Sequence, residues 1–222
     1  MAQKDGARFS ALDHLAETVR VLTGQHIGLQ ARERFSRYLD LLGFWNQSQN
    51  LTGFQTPTEI VRGLLEDSLL FLPLLPDRPL RMVDLGAGAG IPGVPLRIVD
   101  DGIDLTLVEA RRKRVSFLKT VRRELGFERG MLVEEGRAEV LMREIVDREG
   151  EFDVAVARSL GDLGKVVPMA LGYLKPEGVF IGSAPPPDRL AGLVRESHGD
   201  WQVQSYPGLG MRRAFFVARR SA

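Results

Sequence analysis

Val83-Asp84-Leu85-Gly86-Ala87-Gly88-Ala89-Gly90-Ile91-Pro92-Gly93 is the stretch that most limits how this chain folds. The apolar run Met82 to Leu85 enters it and reads as a buried strand. A glycine turn follows, and Pro92 to Val99 reads as the start of a helix. Strand, glycine turn and helix together make a nucleotide cradle. Glycine accepts φ > 0 and carries no Cβ, so a ligand can lie against the backbone.

Two acids flank that turn. Asp84 sits just before it, where a carboxylate can meet a cationic or hydroxyl-bearing ligand. Glu109 ends the next apolar run, Leu105-Thr106-Leu107-Val108. In a doubly wound sheet an acid there reaches the ribose hydroxyls of a bound nucleoside. The spacing argues which nucleoside. A dinucleotide fingerprint is G-x-G-x-x-G. Gly86 and Gly88 fit it, but Ile91 stands in the third position and the glycines run G-x-G-x-G. An acid two residues before the first glycine suits S-adenosylmethionine, which has an ammonium and a sulfonium and no pyrophosphate. A turn that merely connects strand to helix, and an NAD site, are the competing readings.

Composition narrows the classes. Of 222 residues, 44% are hydrophobic and 27% charged, ordinary for a globular protein with a real core. The absence of cysteine excludes disulfides, thiolate metal sites and cysteine nucleophiles. His14, His26 and His198 lack metal-ligand spacing, so no protein-bound metal is expected. A net charge of +1 limits any RNA contact to a local basic patch. No apolar run approaches the roughly 18 residues of a membrane span, and the N-terminus has no apolar signal core. A cytoplasmic enzyme with no membrane partner is expected, acting as a monomer.

Along the chain, Phe9 to Leu22 puts Leu12, Leu15, Val19 and Leu22 on one helical face. A second helix is predicted from Gln30 to Trp45, with Arg32, Glu33, Arg34 and Asp40 on a solvated face. Asn46 to Gly53 reads as a polar loop. Thr56-Pro57-Thr58-Glu59 is a capping box opening a third helix to about Phe71, with Arg62, Glu66 and Asp67 exposed. Pro73, Pro76 and Pro79 form a stiff linker. Residues 1–79 are therefore expected to form a helical extension, and 80–222 an α/β domain, as one compact unit. Strands are predicted at 81–85, 104–109, 131–135, 152–157 and 178–182, with helices at 111–125, 138–149 and 163–174 between them. That alternation argues a parallel sheet. The segments 201–206 and 212–218 read as a hairpin on its edge, and Pro185-Pro186-Pro187 forbids a helix before Asp188.

In an open α/β sheet the ligand lies beyond the carboxyl ends of the strands. That gathers Gly86 to Ile91, Glu109, Gly136 to Glu139 and Arg158 around one crevice. Arg137-Ala138-Glu139 either offers backbone N–H groups to an adenine edge or is an ordinary helix start. Arg158 ends a strand nearest the transferred group. Arg111-Arg112-Lys113-Arg114 is a basic cluster at a helix start, where cations are disfavoured; it serves an RNA backbone or is a solvated face. Nothing in the chain resembles a hydrolase: no G-x-S-x-G appears, and no Walker lysine follows the glycines.

These residues resemble the RsmG family, also called GidB. The resemblance rests on Trp45-Asn46 with Asn50-Leu51-Thr52, on Asp67-Ser68-Leu69, and on Asp84 through Leu96 with its Ile91-Pro92-Gly93-Val94-Pro95-Leu96 continuation. It continues in Lys113-Arg114 with Phe117-Leu118, in Arg137-Ala138-Glu139, and in Phe152-Asp153 with Arg158. The resemblance implies a Rossmann-like class I methyltransferase fold: a mostly parallel seven-stranded sheet with an N-terminal helical extension. It implies methyl transfer from S-adenosylmethionine to guanine N7 in the 530 region of 16S ribosomal RNA, with that RNA or the small ribosomal subunit as partner. It implies that Gly86, Ile91, Ala138, Glu139 and Arg158 line the cofactor site, with Asp84 and Glu109 beside it; Gly88 and Gly90 of the same turn are expected to bind the cofactor too, and Arg158 is the expected catalytic residue. Two departures stand out. The family usually has a histidine where this chain has Leu64, and Lys-Gly where it has Ser183-Ala184-Pro185-Pro186. Both are expected on the RNA side of the site. A binder of ribosomal particles without activity, or a methyltransferase on another RNA or a small molecule, are the alternatives.

Overall fold

The computed structural model describes residues 2–49, 51–77, 80–144, 150–158, 162–184 and 199–221. The prolines at 185–187 and the helix expected to run to 149 fall wholly or partly outside them. Seven strands form one sheet in the order β3-β2-β1-β4-β5-β7-β6. They are β1 Leu80–Leu85, β2 Ile103–Glu109, β3 Met131–Glu135, β4 Phe152–Arg158, β5 Leu174–Ala184, β6 Gly199–Tyr206 and β7 Met211–Arg219. The first five pair in parallel, and β7 is antiparallel to both β5 and β6. The predicted hairpin is thus present, with β7 as its inner strand.

Successive side chains of a strand point to opposite faces, and here both faces are covered. Met82, Leu105, Leu107, Val154 and Val156 join one hydrophobic cluster. Val83, Leu85, Val108, Ala155 and Ala157 join the other. This is why these strands read as unbroken apolar runs. The first cluster reaches into α1 Ala2–Thr23, α2 Leu29–Gln49, α5 Gly93–Val99 and α6 Arg112–Glu124. The second takes in α8 Leu163–Tyr173 and the half-buried Leu141 and Met142 of α7 Ala138–Glu144.

Several expectations are corrected. α2 runs on to Gln49, so Asn46 is helical rather than part of a loop. Its charges are not simply solvated: Arg34 donates to Asp101 at 3.0 Å and to the Leu125 carbonyl, and its guanidinium lies 4.5 Å from the Phe127 ring centre. The third helix keeps its capping box, with Glu59 N–H donating to Thr56 Oγ1. It is broken into α3 Pro57–Ile60, a π-helical turn Val61–Leu65 and α4 Glu66–Leu69. The wider turn rotates α4 relative to α3. Glu66, expected outside, is buried and accepts from His14 Nε2 at 3.0 Å. β5 begins earlier than predicted because it carries an irregularity after Leu174, where Glu177 adopts φ 63°.

Candidate active site

Two clefts open at the carboxyl ends of the strands and meet at Gly86. The first, about 360 Å³, lies between Leu85-Gly86, Val108-Glu109-Ala110, Gly136 to Glu139, and Met169. The second, about 300 Å³, is lined by Gly86 to Ala89, Ile91, Leu51, Thr52, Leu64, Arg114 and Arg158. A larger hollow of about 770 Å³ lies at the other end of the sheet, against Asp100 to Gly102 ahead of β2. It is remote from these residues.

The turn owes its form to its glycines. Gly86, Gly88 and Gly90 have φ of 74°, 60° and 84°. At Gly86 a Cβ would meet no atom within 4 Å, so the space beside it is open to a ligand. At Gly93 a Cβ would come within 2.9 Å of the Asp84 carboxylate, so that glycine is kept for a close approach from beneath. Tyr38, fully buried on α2, donates its hydroxyl to the Ala89 carbonyl and fixes the turn from the helical side.

The two acids part company here. Glu109 lines the first cleft. Its Oε2 accepts the Gly88 N–H at 2.9 Å and its Oε1 accepts the Arg111 N–H at 2.8 Å. Each carboxylate oxygen has a second lone pair for a ligand hydroxyl. Asp84, read from sequence as a residue that meets the ligand, is instead wholly buried below the turn. Its Oδ2 accepts the Gly93 N–H at 2.9 Å, while Oδ1 has no hydrogen-bond partner among the described residues. Burial, reinforced by the nearby Glu109 charge and offset by that bond, pushes its carboxyl up to about 7. Gly90 and Ile91 are held by packing, Gly90 against Val94 and Leu118, and Ile91 at the floor of the second cleft.

Ala138 and Glu139 line the first cleft opposite Glu109. The Ala138 carbonyl accepts from Tyr173 Oη at 2.8 Å, a contact the sequence did not single out. Burial, then the charges of Glu139 and Glu134, push that phenol up to about 12. Arg158 reaches into the second cleft from the end of β4, donating to the Gly63 carbonyl at 3.1 Å. Within the basic cluster, Arg112 pairs with Glu135 at 3.1 Å and Arg114 stands 3.8 Å from Glu109. Arg111 and Lys113 are exposed. Leu64, placed by sequence on the RNA side, lines the same cleft as the glycine turn. Asp153 lies at the far end of β4, accepting from the Arg81 N–H and from Lys175, and serves the sheet.

Asn46 is the other residue the sequence underrated. Its Oδ1 accepts the Thr52 N–H at 2.8 Å and its Nδ2 donates to the Phe54 carbonyl at 2.6 Å. It therefore shapes the loop that carries Leu51 and Thr52 into the second cleft. Removing a buried bonded amide costs about 1–3 kcal/mol. Asn46→Ala is expected to lower the melting temperature by several degrees, read by thermal unfolding.

The profile of the GidB family, rRNA small subunit methyltransferase G, matches residues 31–183, more than half of the chain. The chain belongs to the GidB family. A relative in Stenotrophomonas maltophilia strain K279a, named ribosomal RNA small subunit methyltransferase G, is 37% identical over 184 residues, covering 80% of this chain and 81% of its own. One from Anaeromyxobacter sp. strain Fw109-5, of the same name, is 39% identical and covers 68% of each. Among solved structures, the fibrillarin/Nop5p complex aligns with a TM-score of 0.53 at 18% identity, covering 70% of this chain and 80% of that one. A protein from Agrobacterium tumefaciens described as a predicted O-methyltransferase also reaches 0.53, at 17% identity, with 67% and 77% covered. These likenesses give the fold, that of a class I methyltransferase, and GidB membership gives S-adenosylmethionine as the cofactor. The first cleft fits that molecule: it has open backbone at Gly86, an acceptor carboxylate at Glu109 and apolar walls at Leu85, Val108 and Met169. Among the described residues no helix is long and apolar enough to cross a membrane.

Proposed function

We propose that this chain transfers the methyl group of S-adenosylmethionine to N7 of a guanine in the 530 region of 16S ribosomal RNA, acting in the cytoplasm. Its GidB membership supports small-subunit ribosomal RNA as the substrate class. One observation carries the finer reading. The second cleft opens on the same Gly86 as the first, yet Asp, Glu, His, Lys and Tyr are all absent from the described residues lining it. Its two ionic groups are guanidiniums, which do not deprotonate in proteins. Hydroxyl and exocyclic amine acceptors carry a proton that must leave. Guanine N7 carries a free lone pair and no proton, so it suits a cleft whose lining offers no base and whose nearest carboxylates, Asp67 and Glu109, face its arginines.

When bound, S-adenosylmethionine supplies a sulfonium methyl, an electrophile open to in-line displacement. The chain's part is to position and to exclude water. Glu109 would accept from the ribose hydroxyls, and the backbone at Gly86 would lie against the ligand. Ala138 and Glu139 would border the adenosine, and Asp84 would act from beneath by holding the turn to Gly93. Leu51, Leu64 and Ile91 would flank the incoming base, which must be unpaired or flipped to enter. Arg158, the proposed catalytic residue, would orient it.

The test is transfer of labelled methyl to small ribosomal subunits from a strain lacking this gene, with the label mapped and its N7 chemistry checked. A single N7-methylated guanine is expected. No transfer, with cofactor still bound, would favour a particle binder without activity. Arg158→Ala is expected to cut transfer by about tenfold to a hundredfold, the size of a positioned interaction worth 1.4–2.8 kcal/mol, with cofactor binding nearly unchanged. Unaltered transfer would remove it from the site.

A further inference from the structure

Asp67, on α4, stands between Arg213 and Arg158, and of the three Arg158 lines the second cleft. Its Oδ1 accepts from Arg213 Nε at 2.7 Å, while its Oδ2 is 3.7 Å from Arg158 Nε. The strand register explains how the two cations meet. Arg158 of β4 pairs with Ser183 of β5, and Ser183 with Phe215 of β7. Arg213, two residues from Phe215, therefore projects past the carboxyl end of β5, on the side where Arg158 ends β4. Of the three side chains, Asp67 is 16% exposed, Arg158 24% and Arg213 39%. One carboxylate is thus shared by two guanidiniums, tightly with the outer one and loosely with the inner one. The group has an excess positive charge, and its most exposed member is Arg213, next to the exposed Arg212.

An excess cation at the rim of a cleft that admits an RNA base is matched by a backbone phosphate, which guanidinium binds in bidentate fashion. We propose that Arg213 reads a phosphate of the substrate RNA and that Asp67 couples this contact to Arg158. This rests on the ribosomal RNA reading above. In the protein alone, Arg213 holds Asp67. A phosphate arriving on Arg213 competes for its N–H groups, and the carboxylate is left to close the longer pair with Arg158. Arg158 is then fixed at both ends, by Gly63 and by Asp67, when RNA is present. Asp67 is a positioning residue, acting through Arg158. Arg213 is a binding residue.

The experiment uses the full chain with Arg213→Ala, Arg213→Lys, Asp67→Asn and Asp67→Glu. Binding of a fluorescein-labelled RNA hairpin covering the 530 region is measured by anisotropy against potassium chloride, and kcat and KM are measured on small subunits. A lost phosphate contact lowers the slope of log affinity against log salt by about one. Arg213→Ala is expected to show that loss and a severalfold higher KM, and Arg213→Lys to keep the slope, because the charge remains. Asp67→Asn is expected to lower kcat severalfold with the salt slope retained, and Asp67→Glu to recover part of it. Retained S-adenosylmethionine binding by Asp67→Asn certifies its fold; if binding is lost, Asp67→Glu and the Arg213 arms decide. A wild-type slope and KM in Arg213→Ala overturns the proposal, as does a wild-type kcat in Asp67→Asn. If the unaltered protein methylates no subunit, the functional reading fails instead, and the salt slope alone still decides whether Arg213 reads a phosphate.

Discussion

Gly86→Val is expected to abolish S-adenosylmethionine binding, at least a hundredfold in affinity by calorimetry, while the protein stays folded. Gly86 has φ 74°, and beside it no atom lies within 4 Å of where a Cβ would stand. The substitution therefore does not collide with the protein. It fills the space where both clefts meet, on the path proposed for the ligand. Left-handed backbone costs a side chain about 1–2 kcal/mol, more for a branched one, against a usual stability of roughly 5–15 kcal/mol. Gly90→Ala is the control with the opposite signature. Its Cβ would come within 2.6 Å of Val94, so it should lose stability more than affinity. If Gly86→Val binds like the unaltered protein, the ligand does not lie on this turn.

The second large effect is on stability against pH. Asp84 is wholly buried with its carboxyl raised to about 7 from an ordinary 3.8. Below about pH 4 both folded and unfolded chains hold this proton. Between about 4 and about 7 the unfolded chain has released it and the folded chain has not. Stability contributed by this group therefore falls as pH rises through that window, by about 4 kcal/mol in all, and is flat above it. Asp84→Asn removes the titration. It keeps an oxygen for the Gly93 N–H but buries an amide, at a cost of about 1–3 kcal/mol. The variant is expected to be the less stable at pH 4.5 and the more stable at pH 8. Urea midpoints across that range would show the curves crossing. Parallel curves would mean that Asp84 is already ionised in the folded protein.

The features legible in the sequence are the local ones. β3 was predicted at Met131 to Glu135 and is found there, and the apolar runs of β1, β2 and β4 were found within a residue or so. Asn46-Gln47-Ser48-Gln49 was misread because a polar helix end and a polar loop have the same composition. The Asn46 side chain, bonding forward to Thr52 and Phe54, is the feature that distinguishes them. A 3.6-residue period places Glu66 outside, but Val61–Leu65 makes a π-helical turn that breaks that period. The glycine turn and the cleft walls at Glu109, Ala138, Glu139 and Arg158 follow from strand ends alone. That Asp84 serves the turn from below, and that Leu64 faces the cleft, depends on packing between segments far apart in the chain. No periodicity encodes that.

The bond from Tyr38 to the Ala89 carbonyl bears on how such a chain can be rebuilt. α2 is also fastened along α6, by Arg34 to the Leu125 carbonyl, by Arg37 to Glu124 and by Trp45 edge-on to Phe117 at 5.6 Å. α2 is therefore part of the glycine turn's foundation, and not an adaptor that could be unplugged. Transplanting α2 onto another class I methyltransferase would carry none of its effect unless this chain's own turn and α6 went with it.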